Sequence, residues 1–254
     1  GRQAQLEALT AAYEDSEGGP VVALCHGASG VGKSTLCRHF LHQLRGRDPQ
    51  VVLLSGRCFE NEQIPYKALD GVIDALSRHL RHLPEERALP LLPRDVAALG
   101  RLFPVLRQVP AVCAAPERRI ADPQRQQRAA FLALRELLCR LSDRGRLVLH
   151  IDDLQWGDLD SIALLLEVLS PPEAPALLLC VTYRSEEAES SPVISALRRM
   201  LRDAGPGLSV REIPVGELSE EGALALARAL APAGDGELQA RLAAESGGNP
   251  FFLV

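Results

Sequence analysis

The stretch from Leu24 to Phe40, LCHGASGVGKSTLCRHF, decides how this chain is read. Within it, Gly27-Ala28-Ser29-Gly30-Val31-Gly32-Lys33-Ser34, followed by Thr35, fits the pattern G-x-x-x-x-G-K-[ST]. The apolar run Val21 to Cys25 leads in, and Leu36, Phe40, Leu41 and Leu44 follow with helical spacing. The motif therefore lies between a buried strand and a helix, the context it requires. Its glycines let the backbone curl until successive N–H groups face one anion, and the helix N-terminus adds its positive end. Lys33 is placed to bridge the β- and γ-phosphates of a nucleotide, and Ser34 to ligate Mg²⁺. Lys33 and Lys67 are the only lysines in an arginine-rich chain. In a chain of this composition a chance match has a probability on the order of one in a hundred.

Working outward, four more strand-length apolar runs appear: Val51 to Ser55, Leu147 to Ile151, Ala176 to Thr182 and, more weakly, Leu208 to Ile213. Continuous rather than alternating hydrophobicity predicts strands covered on both faces, as in a parallel sheet. Between them, Leu69, Val72, Ile73, Leu76 and Leu80 form one helix stripe after Pro65, a favourable first-turn residue, and Phe131, Leu134, Leu138 and Leu141 form another. Strands alternating with amphipathic helices predict an α/β fold of right-handed βαβ units, with ligands at the carboxyl ends of the strands. The run Leu147 to Ile151 leads straight into Asp152 and Asp153. Asp152 is assigned to Mg²⁺, mostly through bound water, and Asp153 to orienting or deprotonating an attacking water. The plainer alternative for Asp153 is a cap on the following turn.

Composition narrows the class. The 254 residues are 46% apolar and 24% charged, enough for a sizeable core, and Glu167, Pro171 and Pro172 break the longest apolar runs, so no membrane span fits. A formal charge of −5 argues against direct nucleic-acid binding by this segment, which would need a basic face. Arg118, Arg119, Arg125 and Arg128 read as a solvated helix face. Six cysteines are scattered singly, mostly inside apolar stretches, which points to small core residues in a reducing, cytoplasmic compartment. His39 with His42 and His79 with His82 have i, i+3 spacing, but no further donor completes a ligand set at a familiar interval.

Residues 83–123, rich in Pro and Arg, read as a helical insertion in an α/β domain spanning 1–215, with a truncated helical subdomain beginning in 216–254. There Ser219 is a plausible N-cap, Glu220 and Glu221 suit the helix dipole, and Gly247 and Gly248 can supply a left-handed C-terminal turn. The chain opens at Gly1 without an initiator Met and stops at Val254 in an apolar run, which suggests a segment of a longer polypeptide.

Together, Gly27 to Thr35, LVLHIDDLQWGD, Thr182-Tyr183-Arg184 and Gly248-Asn249-Pro250-Phe251 resemble the signal-transduction ATPases with numerous domains, the STAND class of P-loop proteins related to the AAA+ group. GRCFENEQIPYKALDGVIDAL and DLDSIALLLEVLSPPEAPALLL look like the ATPase modules beside bacterial serine/threonine protein kinase domains and in large ATP-dependent transcription regulators. The resemblance implies a five-stranded parallel sheet of order 5-1-4-3-2. It implies Arg184 as a γ-phosphate sensor, Pro250 approaching the adenine from the helical subdomain, and Arg2 near the base. Gln3 stands where the family's G-R-E motif is acidic. The nucleotide contacts it implies are Arg2, Gly27, Ser29, Gly30, Val31, Gly32, Lys33, Ser34, Thr35 and Pro250, with Lys33, Asp153 and Arg184 catalytic and ATP/ADP with Mg²⁺ as ligands.

Hydrolysis needs a positioned water and positive charge at the transition state, and an arginine finger is worth about 10³–10⁵ in rate. Whether Arg184 acts in cis or another subunit supplies the arginine is left open by the residues. The reading is a slow ATPase switch in a larger signalling protein, its partners being other domains of the same polypeptide, a kinase or DNA-binding domain among them, with nucleotide-dependent homo-oligomerisation as a further expectation. Two alternatives stand beside it: an oligomeric AAA+ remodelling ATPase, and a scaffold holding ADP without turnover.

Overall fold

The computed structural model describes residues 1–61, 64–116, 121–232 and 235–253. Arg118 and Arg119, part of the segment 83–123, and Glu62 and Gln63 lie outside the described residues. Five strands, β1 (Val21–Gly27), β2 (Val52–Arg57), β3 (Leu147–Asp152), β4 (Leu178–Arg184) and β5 (Ser209–Pro214), form one sheet in the order β2-β3-β4-β1-β5. Every neighbouring pair is parallel. This is the expected order 5-1-4-3-2 in an α/β fold.

The strands run further toward their carboxyl ends than their apolar runs predict. Parallel pairing carries them on, matching Gly27 with Arg184 and Arg57 with Asp152. Polar residues that the hydrophobic pattern assigned to loops are thereby fixed in the sheet. The central strands β1, β3 and β4 are almost wholly buried, whereas β2 and β5 lie at the edges and expose polar side chains. Coverage of both faces holds only for the three central strands.

Alternate residues feed two apolar layers. On one face Ala23, Cys25, Val148 and Cys180 pack under α1 (Gln3–Asp15) and α2 (Lys33–Arg47). On the other, Val22, Leu24, Leu149, Ile151, Leu179 and Val181 meet α3 (Lys67–His82), α7 (Pro123–Ser142), α8 (Leu159–Leu169) and α9 (Pro192–Asp203). Between α3 and α7 lie the short helices α4 (Glu85–Ala88), α5 (Val96–Leu102) and α6 (Pro110–Cys113), whose Val96, Leu99 and Val112 join this same layer. The arginines Arg125 and Arg128 are exposed on α7.

Helix α3 begins at Lys67, after a left-handed Tyr66 (φ 63°), so Pro65 is not in its first turn as the sequence suggested. The Asp158 carboxylate accepts from the backbone N–H groups of Tyr66 and Ala68 and also from Ser161 N at the start of α8. One acidic side chain thus satisfies orphan donors of two helices. The α3–β2 crossing is a glycine contact: a Cβ on Gly71 would lie 2.7 Å from Gly56 Cα, and one on Gly56 would lie 2.8 Å from Val72 N.

Past β5 come α10 (Glu220–Leu230) and α11 (Gly236–Glu245). Ser219 caps α10 by accepting from Gly222 N, with Glu220 and Glu221 in the first turn. After α11, Gly247 and Gly248 take left-handed φ values of 56° and 80°, turning the chain back so that Leu218 N donates to Gly248 O at 2.7 Å. Among the described residues, no helix is long and apolar enough to cross a membrane.

Candidate functional site

The loop between β1 and α2 lies at the carboxyl edge of the sheet. Gly30 and Gly32 hold φ of 82° and 94°, conformations that glycine adopts at little cost. A side chain at Gly27 would run into the Val215 carbonyl. Gly32 is the N-cap of α2, and neither a capping side chain nor a first-turn acid occupies that helix start. Its terminal N–H groups and the positive helix end are suited to receive an anion. Lys33 is buried, and its ammonium donates to the carbonyls of Gly27 (2.9 Å) and Ala28 (2.7 Å). Burial lowers the Lys33 pKa, while the carboxylates of Glu186, Asp153 and Asp152 oppose the shift and Arg184 adds to it.

The acidic pair arrives from β3. Asp152 is the last residue of the strand, and its Oδ1 accepts from Ser34 Oγ at 2.7 Å and from Thr182 Oγ1 at 2.6 Å. Asp153 follows in a left-handed conformation (φ 58°), its N–H donating to Thr182 Oγ1 at 2.9 Å. Its carboxylate receives Arg57 Nη2 at 2.9 Å and Gln155 Nε2 at 3.1 Å. No side-chain capping bond to the following turn is made, so the plainer reading of Asp153 is not what the geometry displays.

Arg184 ends β4 beside Gly27, with its guanidinium 5.6 Å from the Trp156 ring centroid and Nη1 3.3 Å from Glu187 Oε1. The carboxylate of the intervening Glu186 accepts from Ser29 N at 2.8 Å. Its own backbone N–H above all holds the Glu186 carboxyl below the usual range, against burial, with lesser help from the Ser29 N–H and the charges of Lys33 and Arg184.

Two distant segments close over the loop. Arg2 donates to Val31 O (2.7 Å) and Gly216 O (2.6 Å). Asn249 Nδ2 donates to Ser29 O at 3.0 Å, and a Cβ on Gly32 would lie 3.8 Å from Pro250 Cγ. Arg2, Ser29, Val31, Lys33, Ser34, Asp152, Asp153, Arg184 and Pro250 are therefore gathered around one loop, with Thr35 exposed on the first turn of α2.

The geometry also gives positions to Arg57, Thr182, Glu186 and Gln155 that sequence reading assigned no task. Thr182 had a signal, a hydroxyl at the carboxyl end of a buried strand. Glu186 had none, since its partner is a backbone N–H 157 positions away. The residues fit a magnesium nucleotide: Ser34 Oγ and the Asp152 carboxylate are hard oxygen donors already in contact, beside an uncapped helix start and a buried ammonium. Bound there, Mg²⁺ would be held by Ser34 and Asp152 and would supply charge neutralisation of the phosphates.

A parallel sheet whose central strands are covered on both faces, with this loop and acidic strand end, defines a P-loop nucleoside-triphosphatase fold. Residues 1–181 match the AAA ATPase domain, and the chain belongs to that family. No curated protein matches it significantly. Among solved structures, it is similar to the Walker-type ATPase PABY2304 of Pyrococcus abyssi, at 16% identity and a TM-score of 0.57 over 100% of this chain and 65% of that one. It is also similar to the Signal Transduction ATPase with Numerous Domains (STAND) protein with a tetratricopeptide repeat sensor, PH0952 from Pyrococcus horikoshii. There identity is 15% and the TM-score 0.47, over 100% of this chain and 28% of that one. The chain thus spans less than two thirds of either structure.

Proposed function

We propose that this domain binds ATP with Mg²⁺ and hydrolyses it slowly, as a conformational switch inside a larger cytoplasmic signalling protein of the STAND class. The single observation that carries the reading is the Asn249 Nδ2 bond to Ser29 O, which ties the segment after α11 directly to the phosphate loop. Arg2 adds a second tie, from the chain's first helix and from Gly216 to Val31. A ligand that changes the loop therefore changes contacts to both flanking segments, a differential interaction able to shift a two-state equilibrium.

In this reading Lys33 exchanges the Gly27 and Ala28 carbonyls for phosphate oxygens, and Arg184 leaves Glu187 to face the γ-phosphate. Asp153, held in place by Arg57 and Gln155, takes the proton of the attacking water or orients it. The partners controlled are neighbouring domains of the same polypeptide, a protein kinase or DNA-binding domain being the class the resemblance favours. The test is steady-state ATP turnover of the purified domain, with and without Asp153→Asn. Turnover well below one per second, lost in the variant while nucleotide still binds, is the expected result. Sustained turnover of many per second by a monomer contradicts the switch. Rings formed with ATP favour a remodelling enzyme, and tightly co-purifying ADP without turnover favours a scaffold.

A further inference from the structure

Three cysteines far apart in sequence meet behind the phosphate loop. Cys25 on β1, Cys37 on α2 and Cys180 on β4 are each 0% exposed, and their sulfurs lie within 4.8 Å of one another. Among the described residues they form the only such cluster of three or more metal-ligating side chains. Cys37 Sγ and Cys180 Sγ are 3.6 Å apart. Thiolates on a tetrahedral zinc ion, each about 2.3 Å from the metal, are about 3.8 Å apart. That edge of the cluster already has the spacing of a thiolate site, and the other two sulfur separations are at most 4.8 Å.

A fourth donor lies nearby, although its ring nitrogens are not within 4.8 Å of all three sulfurs and it would have to move in to complete a set. His150 on β3 pairs in register with Cys180, which pairs in turn with Ala23, two residues before Cys25 on the same face. The imidazole is 3% exposed, and its Nε2 has no hydrogen-bond partner although it is buried. An unmet buried polar nitrogen is costly and calls for an explanation. Its other nitrogen, Nδ1, is 2.8 Å from Ser55 Oγ. That is the outer-shell arrangement of a metal-binding histidine, in which one ring N–H is held by an oxygen and the other nitrogen is left to coordinate. His150 also lines, with Ser34, Ser55 and Arg38, a cavity of about 430 Å³.

We infer that Cys25, Cys37, Cys180 and His150 form a structural site for a soft divalent cation, zinc being the natural occupant. The three thiol protons would leave to solvent as the metal binds, giving a closed Cys₃His set. Because the donors come from β1, α2, β3 and β4, the ion would fasten the helix carrying Lys33 and Ser34 to the three central strands. This assignment does not depend on the nucleotide reading.

The experiment uses reduced, chelator-treated protein without nucleotide, titrated with Co²⁺ as spectroscopic probe. Expected are thiolate-to-cobalt charge-transfer absorption and intense tetrahedral d–d bands saturating at one ion per chain and displaced by Zn²⁺. The signal is lost in Cys37→Ala, weakened at least about tenfold in His150→Ala, and unchanged in Cys113→Ala, which alters an exposed thiol. Zinc in hundredfold excess over its Kd raises the unfolding midpoint by about 5–10 °C. X-ray absorption at the zinc edge gives the same answer on unsubstituted protein, with sulfur at about 2.3 Å. Weak octahedral bands without charge transfer, an oxygen-only zinc shell, or a thiolate signal that survives Cys37→Ala overturns the site. Full affinity in His150→Ala overturns the four-donor set.

Discussion

The backbone N–H of Ser29, inside the phosphate loop, donates to the carboxylate of Glu186 at 2.8 Å. A carboxylate therefore sits on one of the donors that a bound phosphate would use, close enough to Lys33 to act on its pKa. Removing that competitor in Glu186→Ala strengthens nucleotide binding, by about threefold to tenfold for a charge-assisted bond at an exposed position. Fluorescent-nucleotide titration of both proteins checks it, and weaker binding by the variant would contradict it.

The same contact fixes a pH dependence. Because the folded Glu186 carboxyl titrates below its ordinary value of 4.5, whatever the bond contributes is fully present above that value and is lost only as pH falls through the lower, folded one. The gain in affinity from Glu186→Ala is therefore constant from pH 6 to pH 8. A gain that changed over that window would mean another group controls the contact.

Asp153 and Arg57 are joined at 2.9 Å, with the Arg57 side chain 58% exposed. Such a pair adds little to stability, under about 1 kcal/mol. Arg57→Ala thus leaves the unfolding midpoint nearly unchanged while altering turnover through Asp153. Asp153→Asn lowers turnover by about 10²–10⁴ and leaves Mg·ATP affinity within about threefold. Denaturation curves and single-turnover rates, taken on the same preparations, separate the two effects.

Gly71 touches Gly56 where α3 crosses β2. A methyl at 2.7 Å from backbone cannot be absorbed by a side-chain rotation, so Gly71→Ala separates the two elements. The expected cost is about 1–3 kcal/mol, read as a lower denaturant midpoint with unchanged slope. An unshifted midpoint would show that α3 can move away freely.

Asn249 holds the C-terminal segment to Ser29 through one amide and receives the Phe251 N–H on its oxygen at 3.0 Å. Asn249→Ala removes both bonds, each worth about 0.5–1.5 kcal/mol. Faster proteolysis after α11, and a smaller difference between the ATP and ADP forms, are the outcomes expected from limited digestion.

The parallel sheet was legible because buried parallel strands leave continuous apolar runs, and the phosphate loop because Gly27 to Ser34 ties a particular conformation to a particular residue pattern, whereas the strand order came only from the family resemblance. Strand ends were less legible: Asp152 and Gly27 belong to the sheet through pairing with Arg57 and Arg184, which no local pattern encodes, and only Arg184 was placed at the end of its strand, by the family resemblance. The start of α3 was displaced because its capping carboxylate, Asp158, comes from another element. Cysteines that look scattered at positions 25, 37 and 180 converge because β1, α2 and β4 share one layer. Side-chain partners separated by a hundred residues or more, such as Ser34 with Asp152, are products of topology and become visible only once the sheet is assembled.

The central claim, that the loop around Lys33 and the Asp152 carboxylate together hold a magnesium nucleotide, is tested most directly by titrating ATP into the folded protein in a calorimeter. With Mg²⁺ the account predicts saturable heat at one ATP per chain, abolished in Lys33→Ala and strongly reduced in Asp152→Asn. No heat from the wild-type protein, shown to be folded by circular dichroism in the same buffer, would contradict it.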